Sequence, residues 1–183
     1  MDSDDDRADE RALDQMTALI AGTSADQLSL PTPCSDWDVA ALLQHVIGGM
    51  QRFAAMAAGE RVDWSSAQPV VLGEDPAAAY RAGRLALEAA YAAHPESVAR
   101  VRPTHLIETA VHAWDLAHAT GREPDLQPEV AAAALALAHE RLTPEARSRT
   151  TAFGQPVPAV ADATVYEQLA AFLGRRATPG VDA

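Results

Sequence analysis

The segment HLIETAVHAWDLAHATGR carries two residues, Glu108 and His112, whose types and spacing could bind a metal ion. They are four residues apart, so on an α-helix their side chains lie on one face about one turn from each other. Carboxylate and imidazole groups are common ligands of divalent metals, and a third such group from another helix would complete three positions of an open site. The spacing therefore predicts part of a metal centre.

His45 is the best-placed third ligand, because it lies at the edge of the apolar stripe of another predicted helix. Two other interpretations stay open at this point. A glutamate and a histidine at this spacing also occur as a solvent-exposed pair, and a histidine at a stripe edge also occurs as a hydrogen-bonded core residue. Periodicity along one helix does not bring His45 and Glu108 together.

The other polar residues near this segment are assigned lesser roles. Asp115, one turn after His112, is either a hydrogen-bond acceptor that fixes the tautomer of that imidazole or an ordinary ion-pair partner. His105 falls in the first turn of its predicted helix, where we expect exposure. The remaining histidines are expected on the surface or at helix ends: His94, His118 and His139. Trp37 and Trp114 are expected to pack in the core, and Cys34 is expected to be a small packed thiol rather than a thiol activated by the start of the second predicted helix.

Helices must position these side chains, and the composition favours helices. The chain of 183 residues is 48% apolar and 22% charged, and its many alanines and few aromatic residues are typical of closely packed helices. Its length fits one domain. We predict an all-α domain over residues 9–176, a disordered acidic N-terminus over residues 1–8 and a flexible tail over residues 177–183.

Apolar spacing, capping residues and helix breakers divide the domain into six predicted helices. These are Asp9–Ala21, Ser35–Gly59, Asp75–Ala93, Thr104–Gly121, Pro128–Leu142 and Thr164–Gly174. Capping boxes run from Ser35 to Asp38 and from Thr164 to Glu167. The long link before Asp75 favours parallel second and third helices, whereas the short link HPESVARVRP favours antiparallel third and fourth helices.

Charge and cysteine content exclude several classes of protein. The formal net charge is -12, and the only basic cluster is Arg175–Arg176, so we expect no nucleic-acid binding. No apolar run is long enough to span a membrane, and the acidic start is the reverse of a signal peptide, so we expect a cytoplasmic protein. The single cysteine excludes a disulfide within the chain.

Two blocks of the sequence resemble a known family. The stretches TPCSDWDVAALLQHVIGGMQRFA and ETAVHAWDLAHATGR are similar to actinobacterial members of the DinB-like superfamily that carry the metal-binding domain of mycothiol-dependent maleylpyruvate isomerase. The tail AFGQPVPAVADATVYEQLAAFLGR resembles the end of a short metal-binding branch of that family. The two blocks together are more specific than either one alone.

The resemblance implies a four-helix bundle of down-up-up-down order with additional C-terminal helices. It also implies three metal ligands, and the matching positions are His45, Glu108 and His112. The catalytic arginine of the family matches no single position here. Arg81 and Arg84 on the third predicted helix are the candidates, and Asp115 is a further candidate for a catalytic role.

Two imidazoles and a carboxylate suit Zn²⁺, which is our first choice, while Ni²⁺, Fe²⁺ and Mn²⁺ stay open. The resemblance implies that the metal activates a low-molecular-weight thiol, mycothiol, for isomerisation of an electrophilic small molecule or for S-transfer to it. Two alternatives remain: a thiol-independent enzyme or binding protein for one metabolite, and a non-catalytic metal-binding stress-response protein. A small molecule is the expected partner, and the oligomeric state, monomer or homodimer, is left open.

Overall fold

Seven α-helices and two short 3₁₀ turns account for the regular structure of residues 3–34, 37–64, 71–148 and 153–176, which are the residues described by the computed structural model. The helices are α1 (Ser3–Ala21), α2 (Val39–Ala57), α3 (Pro76–Ala93), α4 (Pro95–Thr120), α5 (Pro128–Arg141), α6 (Pro144–Arg147) and α7 (Val165–Phe172). No β-strand occurs among these residues, so the predicted all-α class is confirmed. The tail predicted to be flexible, residues 177–183, lies outside the described residues.

Helices α2 and α4 pack antiparallel to each other. The ring of Phe53, near the C-terminal end of α2, lies 5.1 Å from the ring of His105 in the first half of α4. The ring of His45, nearer the start of α2, lies 4.9 Å from the ring of His112 further along α4. Residue numbers therefore rise along one helix as they fall along the other.

Helices α1 and α4 run parallel. Asp9 in the first half of α1 lies 2.9 Å from His105, measured from Oδ1 to Nδ1. Near the end of α1, the carbonyl of Leu19 accepts a hydrogen bond from Arg122, which follows α4 directly. Contacts therefore advance in the same direction along both helices.

Helices α3 and α4 are antiparallel. Tyr80 near the start of α3 and Thr109 of α4 line one cavity, whereas the ring of Tyr91 near the end of α3 lies 5.3 Å from the guanidinium of Arg102, near the start of α4. Helices α1 and α4 thus point one way, and α2 and α3 the other. This is the down-up-up-down order that the resemblance implies, and the relative directions of α2, α3 and α4 are those that the link lengths favour.

Helix α4 is buried on two sides, between the first three helices and the pair α5 and α7. One apolar cluster joins it to α1, α2 and α3 and includes Leu116 and Ala117. A second cluster joins it to α5 and α7 and includes Ile107, Val111 and Trp114. Because α4 packs on both sides, almost every residue from His105 to Ala117 is buried, polar residues included. Its few polar side chains are therefore held inside the protein.

The predicted start of α4 at Thr104 is wrong. The helix begins at Pro95, and the segment HPESVARVRP, predicted to be a link, is helical after its first residue. His94 alone separates α3 from α4. Proline is well tolerated at the first position of a helix, where its missing N–H needs no partner.

Pro103 caused this error because it lies inside the helix, where proline removes one hydrogen bond of the helical ladder. The carbonyl that loses its partner is that of Ala99, four residues earlier. Arg141 of α5 donates a hydrogen bond to this carbonyl at 3.3 Å. A contact with another helix thus replaces the missing local bond.

Helices α1 and α2 also begin elsewhere than predicted. The N-cap of α2 is Asp38, whose carboxylate accepts a hydrogen bond from the Ala41 amide at 2.8 Å. The predicted N-cap, Ser35, lies outside the described residues. Helix α1 begins at Ser3 rather than Asp9, so it includes part of the segment predicted to be disordered. Serine and aspartate cap helices about equally well, and apolar spacing marks only the part of a helix that packs on a core.

Other helix ends follow the sequence signals. Asp75 caps α3, and Thr164 forms the predicted capping box with Glu167 at the start of α7. Gly121 ends α4 with a φ of 70°. Glycine adopts this left-handed conformation without the steric cost that other residues incur.

Every helix among the described residues falls short of the length or apolarity that a membrane span requires. Even α4, with 26 residues, carries charged side chains along its length, including Glu96, Arg102 and Asp115. Such side chains are costly in a bilayer.

Candidate metal centre

The three side chains predicted to bind a metal lie together between α2 and α4. One donor atom from each of His45, Glu108 and His112 lies within 4.8 Å of the others. Oε2 of Glu108 is 3.8 Å from Nε2 of His45 and 3.2 Å from Nε2 of His112. Both imidazoles therefore turn the same ring nitrogen toward one carboxylate oxygen.

Two helices position this cluster. Glu108 and His112 lie one turn apart on α4, as their spacing predicts, and His45 comes from the second turn of α2. Leu42 and Val46, on either side of His45, are buried in the core and fix the rotation of α2 about its axis. His45 itself is half-buried and faces α4 from the edge of this apolar stripe.

The three residues fit a divalent metal. Zn²⁺ binds imidazole nitrogen and carboxylate oxygen at about 2.0–2.2 Å, which in a tetrahedral site separates neighbouring donor atoms by about 3.3–3.6 Å. The two donor separations of 3.2 Å and 3.8 Å bracket this range. Three protein ligands leave one tetrahedral position open, as in catalytic zinc sites. The same donors also suit Fe²⁺, Ni²⁺ and Mn²⁺.

The electrostatics of the cluster favour a cation. Burial opposes the charge of Glu108, but the neighbouring imidazoles of His112 and His45 outweigh the effect of burial and lower the pKa of Glu108 to about 2. Burial also opposes charge on His112, whereas its hydrogen bond to Asp115 and its contact with the Glu108 carboxylate raise its pKa. Burial lowers the pKa of His45 and so favours its neutral form, which is the form that binds a metal.

Asp115 orients the imidazole of His112. Its Oδ2 lies 2.9 Å from Nδ1 of His112, and Asp115 has no exposed surface. Because a carboxylate only accepts hydrogen bonds, Nδ1 carries a proton, and in the neutral imidazole, which is the form that binds a metal, Nε2 is therefore the nitrogen with the free lone pair. Arg175, shortly after α7, donates to the same Oδ2 at 3.4 Å. This is the arrangement that the tautomer-fixing interpretation of Asp115 requires.

Trp37 covers two of the three candidate ligands. Its ring centroid lies 4.4 Å from that of His45 and 5.7 Å from that of His112. Trp37 is half-buried, so it shields these imidazoles as well as packing on the core as predicted. Trp114 is buried in the core, in agreement with its predicted packing role.

A small cavity lies beside the ligands. Its volume is about 20 Å³, enough for one or two water molecules. The three candidate ligands line it together with apolar residues of α2, with Trp64 and with a second polar set from α3 and α4. That second set consists of Tyr80, His105 and Thr109. The cavity can therefore admit a small group beside the three candidate ligands.

Comparison with known proteins places the chain in a family. The family model described as the mycothiol maleylpyruvate isomerase N-terminal domain matches residues 10–117. The chain belongs to this family. The matched residues include all three candidate ligands, and the family implies membership of the DinB-like superfamily, in agreement with the resemblance noted from the sequence.

Similar members of the mycothiol maleylpyruvate isomerase N-terminal domain family are themselves uncharacterized. Uncharacterized proteins from two strains of Mycobacterium tuberculosis are each 34% identical to this chain over 180 residues. The alignment covers 92% of this chain and 96% of each relative, so the similarity extends beyond α4 to the C-terminal helices. No solved structure matches the chain significantly.

The two arginines considered as catalytic candidates lie elsewhere in this family member. Arg81 is half-exposed and pairs with Asp75 at 3.7 Å, and Arg84 pairs with Asp14 and Glu88. Neither arginine is among the described residues that line the cavity. Their ion pairs tie α3 to its own N-cap and to α1.

His105 is the residue that sequence reasoning misplaced. It was expected to be exposed in a first turn, but α4 begins at Pro95, so His105 lies mid-helix with no exposed surface. Its Nδ1 is 2.9 Å from Oδ1 of Asp9, and its Nε2 is 3.2 Å from Oγ1 of Thr109. The sequence carried two signals of its position, a spacing of three residues from Glu108 and a spacing of four residues from Thr109, whereas its contact Asp9 is distant along the chain.

The remaining histidines are not among the described residues that line the cavity. His118 pairs with Glu123 at 3.0 Å, and His94 lies between α3 and α4. His139 is exposed on α5 and packs on the ring of Phe172. Their positions agree with the predicted surface and helix-end roles.

Proposed function

We propose that the protein is a metal-dependent enzyme that uses a low-molecular-weight thiol, mycothiol, for isomerisation of an electrophilic small molecule or for S-transfer that joins the thiol to it. His45, Glu108 and His112 would hold the metal, with Zn²⁺ as the first choice. The observation that carries this proposal is the convergence of their donor atoms within 4.8 Å at the wall of a cavity. Family membership supports the choice of thiol.

The residues of the chain have separable tasks in this proposal. Nε2 of His45, Oε2 of Glu108 and Nε2 of His112 are the ligand atoms, and Asp115 holds the proton at Nδ1 of His112. Trp37 packs against both imidazoles and limits access of water from its side. A divalent metal bound here would supply a Lewis acid that keeps a thiol in its thiolate form at neutral pH.

Metal content tests the ligand set. Protein purified without an affinity tag is expected to carry about one divalent metal per chain by elemental analysis. His45→Ala is expected to carry a small fraction of this amount, because it removes one of three ligands. His139→Ala, which removes an exposed histidine of α5, is the matched control and should keep the wild-type content. Equal metal content in wild type and His45→Ala would contradict the ligand set.

Turnover of maleylpyruvate in the presence of mycothiol tests the reaction. We expect chelation to abolish turnover and Zn²⁺ to restore it, and we expect Glu108→Gln to lose activity in parallel with metal content. Full turnover by the metal-free protein would refute the role of the metal. Full turnover without any thiol would instead favour the thiol-independent enzyme.

A non-catalytic metal-binding role is the alternative that one observation favours. The cavity volume of about 20 Å³ is much smaller than a thiol cofactor together with its substrate. A protein with this role would still lose metal in His45→Ala but would turn over no electrophile. The two assays together therefore separate the alternatives.

A further inference from the structure

The cavity contains a second polar group of residues that the metal proposal does not use. Tyr80 of α3 and His105 and Thr109 of α4 all line it. Asp9 of α1 lies behind His105 and contacts its Nδ1. Tyr80 and His105 have no exposed surface, and Thr109 and Asp9 are buried as well. Three helices thus bring four polar side chains into the interior, where polar groups need partners.

The hydrogen-bond roles within this group follow from the chemistry of its members. The carboxylate of Asp9 can only accept, so Nδ1 of His105 carries a proton and donates to it at 2.9 Å. Nε2 of the neutral imidazole is then an acceptor. The hydroxyl of Thr109 lies 3.2 Å away and donates to it. Oγ1 of Thr109 consequently keeps its lone pairs available and acts toward the cavity as an acceptor.

Tyr80 supplies a donor whose nearest polar neighbour, Thr109, does not satisfy it. The Tyr80 hydroxyl is fully buried and close enough to Thr109 to interact with it, but it makes no hydrogen bond of ordinary geometry among the described residues. An unpaired buried hydroxyl costs stability, so its presence in a cavity points to a ligand atom. Tyr91 also has an unpaired buried hydroxyl, but it is not among the described residues that line the cavity. Tyr91 is therefore a useful control.

The charges around the cavity favour a neutral ligand group at this position. The ionisable side chains among the described residues that line the cavity are three histidines, Glu108 and Tyr80. None of these described lining residues is a lysine or an arginine. Outside the lining, Asp9 raises the pKa of Tyr80 more than Arg84 lowers it, so the charges of the chain disfavour an anionic group next to Tyr80. A neutral group that both accepts and donates matches Tyr80 and Thr109 instead.

We propose that Tyr80 and Thr109 form a subsite for the hydroxyl group of a small-molecule ligand, an alcohol or an enol. The ligand oxygen accepts a hydrogen bond from Tyr80 and donates its own proton to Oγ1 of Thr109. His105, held by Asp9, is a positioning residue that orients the Thr109 hydroxyl. The subsite depends on the proposed function only in treating this ligand as the substrate of the metal-dependent reaction.

Nuclear magnetic resonance of protein labelled with carbon-13 at tyrosine Cζ reports on the subsite. The chain has three tyrosines, so Tyr91→Phe and Tyr166→Phe assign the Tyr80 signal. Two probes of equal heavy-atom number are compared, ethanol, which donates and accepts, and acetonitrile, which only accepts. Both should shift the Tyr80 signal saturably, with ethanol bound about 2–10-fold more tightly, as one additional net hydrogen bond allows.

Thr109→Val is the decisive variant because it removes the hydroxyl with little change in shape. Ethanol should then bind as weakly as acetonitrile, whose affinity should not change. Thr120→Val is the matched control on the same helix, since the Thr120 hydroxyl bonds the Leu116 carbonyl instead. Ethanol should keep its advantage in this control.

Tyr80→Phe removes the donor and is expected to fold well, since it deletes an unpaired hydroxyl. Binding in this variant is followed through the methyl signal of Thr109. Both probes should bind about 2–10-fold more weakly than to wild type, the value of the lost hydrogen bond. Tyr91→Phe makes the same chemical change outside the cavity lining and should leave both affinities unchanged.

Several outcomes would overturn the subsite. One is a Tyr80 signal that neither probe moves, which would mean that this part of the cavity holds water only. A second is equal affinity of the wild-type protein for ethanol and acetonitrile. A third is acetate that binds more tightly than ethanol and loses affinity in Thr109→Val. None of these results would change the metal content expected for His45→Ala. If the metal experiment failed instead, ethanol binding that depends on Thr109 could still be observed. The two proposals can therefore fail separately.

Discussion

At the scale of single residues, Asp115 connects a candidate metal ligand to the C-terminal part of the chain. Its Oδ2 contacts Nδ1 of His112 at 2.9 Å and Arg175 at 3.4 Å. Carboxylates that hold metal-binding imidazoles in this way commonly change metal affinity strongly when they are replaced. The position of Asp115 therefore matters for the metal even though it is not itself a candidate ligand.

We expect Asp115→Asn to weaken Zn²⁺ binding by about 10–100-fold, measured by isothermal titration calorimetry. The amide of the variant can donate a hydrogen bond to Nδ1 of His112 through its NH₂ group or accept one through its oxygen. Nδ1 of His112 therefore no longer has to carry the proton, and the tautomer of the imidazole is no longer fixed. Asp125→Asn, on an exposed turn where Asp125 pairs with Arg122, is the control and should leave the affinity unchanged. Wild-type affinity in Asp115→Asn would show that His112 is oriented by other contacts.

At the scale of helices, a glycine sets how closely α3 approaches α2. A Cβ atom at Gly83 would lie 2.7 Å from Cβ of Met50, a distance that requires the helices to shift. A Cβ at Gly49 of α2, by contrast, would meet nothing within 4 Å. Both glycines lie inside helices, so alanine gains about 1 kcal/mol of helix propensity at each position.

We expect Gly83→Ala to lower the free energy of unfolding and Gly49→Ala to raise it by up to about 1 kcal/mol. Overpacking against Met50 costs about 1–3 kcal/mol, which exceeds the gain in propensity. Urea denaturation of both variants measures the difference. A stabilised Gly83→Ala would show that α3 can move away from α2 at little cost.

The interior proline of α4 gives a second prediction for the helices. Arg141 donates to the carbonyl of Ala99 that Pro103 leaves without its helical partner. In Pro103→Ala, the restored amide can bond that carbonyl. Arg141→Met should then destabilise the wild type by about 0.5–1.5 kcal/mol but should cost clearly less in the Pro103→Ala background. A double-mutant cycle by chemical denaturation measures the coupling, and equal costs in both backgrounds would contradict this role of Arg141.

At the scale of the whole molecule, all three tyrosines of the chain are buried in the helical core. Burial raises the pKa of Tyr80 and Tyr91 far above the ordinary value, and burial raises the pKa of Tyr166 to about 12 despite a hydrogen bond from Gln15. Tyrosines in the unfolded chain ionise near pH 10. The unfolded state therefore loses these protons first as pH rises.

Each raised pKa contributes stability that is complete below about pH 10 and disappears as pH rises through the folded value. We expect the free energy of unfolding to fall by up to about 1.4 kcal/mol per pH unit for each tyrosine above pH 10. Between pH 10 and about pH 12, Tyr166→Phe should make the fall in the free energy of unfolding less steep by the contribution of one tyrosine. Tyrosinate absorbance and circular dichroism, recorded together, test the prediction. Full ionisation near pH 10 with an intact fold would refute it.

Local features of this protein could be predicted because neighbours along the chain produce them. The pairing of Glu108 with His112 depends only on the pitch of one helix, and the caps at Asp75 and Thr164 depend on hydrogen bonds within one turn. The left-handed end at Gly121 depends on the absence of a side chain. These features and the all-α class need no knowledge of distant contacts, whereas the order of the bundle was implied by the family resemblance.

Pro103 shows where such local reasoning fails. As a local signal it indicates a helix boundary, and it misplaced both the start of α4 and the exposure of His105. The cost of the missing hydrogen bond is offset by Arg141 of another helix, which the residues around Pro103 do not reveal. A long-range contact thus overrode a short-range preference.

The sequence by itself therefore determined the types of the candidate ligands, their spacing on α4 and the helices that carry them. Only the tertiary structure decided that His45 meets Glu108, that Arg175 reaches Asp115 and that Tyr80 has an unpaired hydroxyl in the same cavity. The physical reason is that turns and caps depend on neighbours a few residues apart. Contacts between helices depend instead on how each helix is rotated and packed within the whole core.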